Sequence, residues 1–134
     1  MSWHYLNQPY ITADPLHQGF VYEITDTFNK KLYIGKKLFW TTKKLPPLKG
    51  LKNKRHRKIE TTWADYYGSC DALSAEIARI GVEHFERRIL YMCANKNQMS
   101  YFETKEQFDR DVLFKPEYYN GMISCRITAR GLPT

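Results

Sequence analysis

What is missing narrows the reading first. No apolar run comes near the roughly 18 residues that a membrane helix needs, so no span is expected. The three cysteines, Cys70, Cys93 and Cys125, are far apart and include no Cys-x-x-Cys pair. That spacing argues against a disulfide framework or a zinc ribbon and for reduced thiols. The opening Met1-Ser2-Trp3-His4 has neither the charged nor the apolar region of an export leader. The expectation is a cytoplasmic protein with no membrane among its partners. The last scarcity is local: between Lys36 and Lys58 there is no acidic residue at all, against ten Lys or Arg.

That segment accounts for the whole charge imbalance. The net charge is +7, yet outside residues 36–58 the chain holds eleven basic and fourteen acidic residues. A basic block on a near-neutral body points to a polyanion, of which nucleic acid is the usual one. With 134 residues, 43% apolar and 15% aromatic, the chain suits one folded domain that buries roughly two-thirds of its unfolded surface.

The chain is then read in order. Residues 1–18 contain Pro9 and Pro15 and show no periodicity, so an arm is expected, anchored by Trp3, Tyr5 and Tyr10. Gly19-Phe20-Val21-Tyr22-Glu23-Ile24 and Lys31-Leu32-Tyr33-Ile34-Gly35 have strand character, with turn formers between them. They predict an antiparallel hairpin that brings Tyr22 and Tyr33 onto neighbouring strands. Pro46-Pro47 and Gly50 prevent a helix in the basic stretch, so residues 36–61 are expected as a basic loop insertion. Ser69 is a candidate N-cap for a helix carrying Leu73, Ile77 and Ile80 and stopping at Gly81. Residues 84–92 predict a third strand, and residues 97–112 a second helix with Glu103 one turn inside. Tyr118-Tyr119-Asn120-Gly121 reads as a turn, residues 125–128 as a short edge strand, and residues 122–134 as a tail. The fold class is α/β: a small three-stranded, mostly antiparallel sheet flanked by helices.

The tyrosine hairpin resembles the signature of the GIY-YIG nuclease superfamily. Its second tripeptide is intact as Tyr33-Ile34-Gly35; the first reads Phe20-Val21-Tyr22, with a glycine one place earlier at Gly19. Tyr67-Gly68-Ser69 resembles the loop entering the second family helix, notably in phage free-standing homing endonucleases. The resemblance covers residues 19–121 and implies a DNA endonuclease. It implies Glu103 as ligand of Mg²⁺ or Mn²⁺, Tyr22 and Tyr33 as catalytic phenols, and Asn120 as the residue closing the site. Tyr67 and Ser69 are implied near the scissile phosphate. The family's helical arginine has no counterpart, because Lys43 and Lys44 stand at its place ahead of the two prolines.

Arg57 is the first choice for the missing cation, because a guanidinium matches phosphate geometry bidentately; Lys37 is the second. Gly35 lets the backbone approach a phosphate. Lys36, Lys43, Lys44, Lys52, Lys54, Arg55 and Lys58 are candidate contacts to double-stranded DNA. Tyr22 is expected to contact or deprotonate the attacking water, which for a phenol of ordinary pKa requires a nearby cation or a relay such as His56. Sequence specificity falls to the basic segment, the N-terminal arm or a homodimer. The alternative is a catalytically inactive nucleic-acid binder on the same scaffold.

Overall fold

The computed structural model describes residues 2–53 and 55–132. Among these residues, seven strands and two α-helices make a three-layer α/β domain from which a two-stranded ribbon projects. The strands are β1 (Trp3–Tyr5), β2 (Gln8–Tyr10), β3 (Gly19–Asp26), β4 (Lys31–Leu38), β5 (Trp40–Leu45), β6 (Arg55–Glu60) and β7 (Phe85–Cys93). The helices are α1 (Asp71–Ile80) and α2 (Lys96–Asp109). The main sheet runs in the order β2-β1-β7-β3-β4, and all its pairs are antiparallel except β1 with β7. It is therefore a mixed five-stranded sheet, larger than the expected three strands.

The extra strands come from the segment expected as an arm. Trp3 is almost fully buried against Phe20 and Tyr22, with ring centroids 4.9 and 5.3 Å away, and its indole N–H donates to the Trp63 carbonyl at 2.8 Å. The turn between β1 and β2 puts both Leu6 and Asn7 at positive φ. A two-residue turn of that kind matches strand twist, but leucine is a poor advertisement for it. Pro9 sits in β2, which has no neighbour on its outer side and so loses no ladder hydrogen bond.

β3 is the axis of the domain. It lies between β7 and β4, is covered on both faces, and has all but one of its residues buried. Phe20, Tyr22 and Ile24 face α1 with Leu73, Phe85 and Ile89; Val21 faces α2 with Ile34, Cys93 and Met99. β4 is an edge strand. Its outer edge is met by the chain after α2: Leu32 N–H donates to the Glu117 carbonyl at 2.7 Å, and Tyr119 N–H donates to the Leu32 carbonyl at 2.8 Å.

Three further expectations change. The basic insertion is β5 and β6 paired antiparallel over their whole length, not a loop. Alternating hydrophobicity is absent there because neither face of the ribbon is buried, so the strand signal is silent. The residue at the N-cap of α1 is Cys70, not Ser69. Residues 125–128 form no strand; Thr128 is instead tied to the Asn97 side chain. Among the described residues no helix is long and apolar enough to cross a membrane.

Candidate active site

Strand register builds the tyrosine pair. Tyr22 lies opposite Gly35, and Tyr33 opposite Ile24, so both rings share the α1 face, with centroids 6.2 Å apart. The missing side chain at Gly35 is what admits the Tyr22 ring. A Cβ there would stand 2.4 Å from the Tyr22 hydroxyl oxygen and 3.0 Å from Tyr33 Cε2. Gly68 closes the pocket from the other side at φ +89, where a side chain is strained, and a Cβ on it would reach 3.5 Å from the same hydroxyl.

Tyr22 is consequently 1% exposed. Burial, then the neighbouring phenols of Tyr66 and Tyr33, push its pKa well above the ordinary tyrosine value, and Tyr66 is also its hydrogen-bond partner. Burial and a raised pKa both favour the neutral phenol, whereas the expectation was that Tyr22 contacts or deprotonates the water. Tyr33 is half-buried. Its pKa is raised too, chiefly by burial, while a hydrogen bond with Ser69 pulls the other way.

The second half of the site comes around the edge of the sheet. Alternation sends Lys36 to the α2 face, where its Nζ donates to Ser100 Oγ at 2.9 Å and stands 3.8 Å from Glu103 Oε1. Ser100, Glu103 and Gln107 share one side of α2, and Gln107 donates to the Ile34 carbonyl at 3.2 Å. The Glu103 side chain is only 14% exposed. Burial raises its pKa, and Lys36 opposes that rise. Tyr33, Lys36, Ser69, Glu103, Gln107 and Asn120 all line one cleft at the β4 edge. Tyr22 does not line it; its hydroxyl lies underneath.

Asn120 is committed to backbone. Its Oδ1 accepts from Ile34 N–H at 3.0 Å and its Nδ2 donates to the Ile34 carbonyl at 2.8 Å, as a neighbouring strand would. It holds the Tyr33-Ile34-Gly35 strand against the C-terminal segment. The other candidates are spread out. Lys37 sits over the Tyr66 ring, 4.4 Å from its centroid, on the tyrosine side. Arg57 is exposed on the ribbon opposite Lys43, and among the described residues it makes no hydrogen bond or ion pair with Tyr22, Tyr33 or Glu103. Lys43, Lys44, Arg55 and Lys58 share that ribbon; Lys52 is exposed in its tip, and Lys54 lies outside the described residues. Tyr67 stacks on the Arg87 guanidinium at 4.0 Å.

Two partners escaped the sequence reading. Lys36, read there only as a DNA contact, is the cation beside Glu103. Tyr66 is the hydrogen-bond partner of Tyr22. The alternation of β4 separates Lys36 from Tyr33 and was available as a signal; nothing local pointed to Tyr66. Among the described residues there is no group of three or more His, Cys, Asp or Glu side chains able to hold a metal ion.

A family model described as "Putative endonuclease segE, GIY-YIG domain" matches residues 3–123. The chain belongs to this GIY-YIG family. The matched stretch takes in both tyrosine strands, the ribbon, Glu103 and Asn120. No curated protein and no solved structure matches it. In this domain the second motif runs on as Tyr33-Ile34-Gly35-Lys36-Lys37. Its two lysines point to opposite faces of one edge strand, and a basic ribbon follows directly.

Proposed function

We propose that this GIY-YIG domain is a metal-dependent endonuclease that hydrolyses phosphodiester bonds of double-stranded DNA. The observation that carries the reading is the cleft at the β4 edge, where a shielded carboxylate, an ammonium and a phenol meet. The donor chemistry fits Mg²⁺ or Mn²⁺. Glu103 is the one carboxylate lining a cleft whose other side chains include the oxygens of Tyr33, Ser69, Gln107 and Asn120, the Lys36 ammonium and a single thiol, Cys70; such a site suits an ion that keeps most of its own water. Its raised pKa, only partly offset by Lys36, also means that further positive charge is welcome there.

Glu103 would hold the ion, which when bound supplies Lewis-acid stabilisation of the phosphoryl oxygens. The remaining work belongs to the chain. Lys36 offers an ammonium to a non-bridging oxygen, close to the charge that grows in the transition state. The Tyr33 hydroxyl, steadied by Ser69, orients the phosphate or the attacking water. Tyr22 is a positioning residue: neutral and buried, it fixes Tyr33 and Tyr66 across Gly35. Lys37 keeps positive charge on the tyrosine side without touching Glu103.

The deciding experiment is nicking of supercoiled plasmid with Mg²⁺, followed by mapping of the product ends. Wild type is expected to cleave and to stop in EDTA, and Glu103→Ala to lose several orders of magnitude while still binding duplex. Binding without cleavage in both Mg²⁺ and Mn²⁺ would select the inactive-binder alternative. Full activity in Glu103→Ala would remove the metal assignment.

A further inference from the structure

The β5–β6 ribbon is built at a cost to folding. Lys43 lies directly across from Arg57. Like charges facing each other across strands are destabilising, and an isolated two-stranded hairpin is marginal even without them. Residues 41–44 and 55–58 are all exposed, so no core repays the loss. The ribbon's hydrogen bonds to the body lie toward its base. There Gln18 donates to the Trp40 carbonyl at 2.8 Å, Thr61 donates to the Leu38 carbonyl at 2.6 Å, and Glu60 accepts from the Trp63 indole at 2.7 Å.

Its two faces differ. Directly opposed residues share a face, so Trp40, Thr42, Lys44, His56, Lys58 and Glu60 form one side. This side leans on the body: Lys58 sits 4.6 Å over the Trp40 ring and donates to the Pro15 carbonyl at 3.2 Å. The other side carries Thr41, Lys43, Arg55, Arg57 and Ile59 and is turned away from that contact.

We propose that this outer face enters the major groove of duplex DNA and reads base edges, with Arg57 and Lys43 as the principal readers. This rests on the nucleic-acid reading above but not on catalysis. Residues 36–58 hold ten basic residues and no acid, and three of the ten, Lys43, Arg55 and Arg57, are on this face, so the complementary partner is a polyanion. Dimensions choose the groove: two strands roughly 4.8 Å apart, with side chains, fit a major groove about 12 Å wide and not a minor groove of about 6 Å. Chemistry supports reading. Arg and Lys are the side chains that pair with guanine O6 and N7, and the Thr41 and Ile59 methyls on the same face suit a thymine methyl. Reach also fits. Lys43 follows Gly35 by eight residues of nearly extended chain, at most about 27 Å, so bases read by the ribbon lie within about eight base pairs of the phosphate at the cleft.

The test uses the full chain in EDTA. A duplex selected by wild type from a random pool is partially methylated at guanine N7, and bound and free fractions are compared. Wild type should be excluded by methylation at one or more guanines within the bound site. Lys43→Ala/Arg57→Ala should lose that interference and bind the selected duplex about 10- to 100-fold more weakly, while its affinity for unselected duplex changes far less. The variant should melt no lower than wild type, because a like-charge pair has been removed, so loss of binding is not loss of fold. Three results would overturn the proposal: no common sequence from the selection, interference that persists in the variant, or equal weakening on all duplexes with a salt slope flatter by about two units, the signature of phosphate contact alone. Plasmid nicking in Mg²⁺ is scored separately. Base reading without nicking sinks the nuclease and leaves the ribbon's role intact.

Discussion

Adding one methyl group at Gly35 should damage both fold and activity, and the structure sets the scale. The new Cβ would lie 2.4 Å from the Tyr22 hydroxyl oxygen, 2.6 Å from its Cζ and 3.0 Å from Tyr33 Cε2. Tyr22 has nowhere to retreat: it is 1% exposed, with Trp3, Tyr66 and Gly68 around it. Overpacking of this kind costs about 1–3 kcal/mol, and an approach of 2.4 Å to a ring with no room to move belongs at the upper end. The methyl also stiffens the unfolded chain, which returns roughly 0.4–1 kcal/mol, so about 2 kcal/mol of net destabilisation is expected. For a domain of this size that lowers Tm by roughly 6–8 °C. Cleavage should fall about 100-fold, because Tyr33 is pushed from its place beside the cleft. Tyr22→Phe is the informative partner, since it deletes the atom that collides most severely. In Gly35→Ala/Tyr22→Phe the losses should be less than additive by about 1 kcal/mol. Thermal melts of the two single variants and the double variant, read with plasmid nicking, decide it. A Gly35→Ala protein melting within 2 °C of wild type, an estimate well below the expected shift, or strictly additive losses, would show that Gly35 is not what makes room for Tyr22.

The remaining predictions concern charge. Glu106→Ala, one turn from Glu103, should leave cleavage nearly intact but destabilise by roughly 2 kcal/mol, because Glu106 accepts from Tyr91 at 2.6 Å and Arg110 at 2.8 Å. The Tyr91 phenol, raised to about 12 chiefly by that hydrogen bond, should titrate closer to its ordinary value in the variant, as ultraviolet difference spectra would record. Because the folded pKa of Glu103 is raised, the folded state keeps its proton to higher pH than the unfolded chain. Stability should therefore fall as pH rises through that window, and Glu103→Gln should abolish this part of the slope in melts across pH. Lys36→Met removes the charge that opposes the rise, so the acid limb of the cleavage profile should move to higher pH; an unmoved limb would separate Lys36 from Glu103. Neutralising Lys44, Lys49 and Lys52 together should flatten the dependence of log K on log salt by up to about three units on duplex DNA, and an unchanged slope would take the ribbon and its tip off the DNA.

Much of the site was legible before any coordinates. β-Propensity and turn residues placed Tyr22 and Tyr33 on a hairpin, because local preference and period-2 alternation act over a few residues. Helical spacing placed Glu103 on α2 for the same reason. The N-terminal strands were not legible, since Leu6 at positive φ and a proline in an edge strand are tolerated only through what surrounds them. The ribbon was not legible either. A strand with both faces in water needs no hydrophobic pattern, so charge content was visible there and shape was not.

By itself the sequence determined the α/β class, the tyrosine hairpin, the glutamate helix and the place of the positive charge. All are properties of short windows or of composition. Tertiary structure alone decided that Tyr22 is sealed beneath the cleft while Tyr33 remains at it, because that difference depends on Trp3 and Gly68, which are far apart in the chain. It also decided which cation stands beside Glu103. Lys36 and Lys37 are adjacent in the chain and alike in chemistry, and only the packing of α2 on one face and the Tyr66 loop on the other gives them different partners.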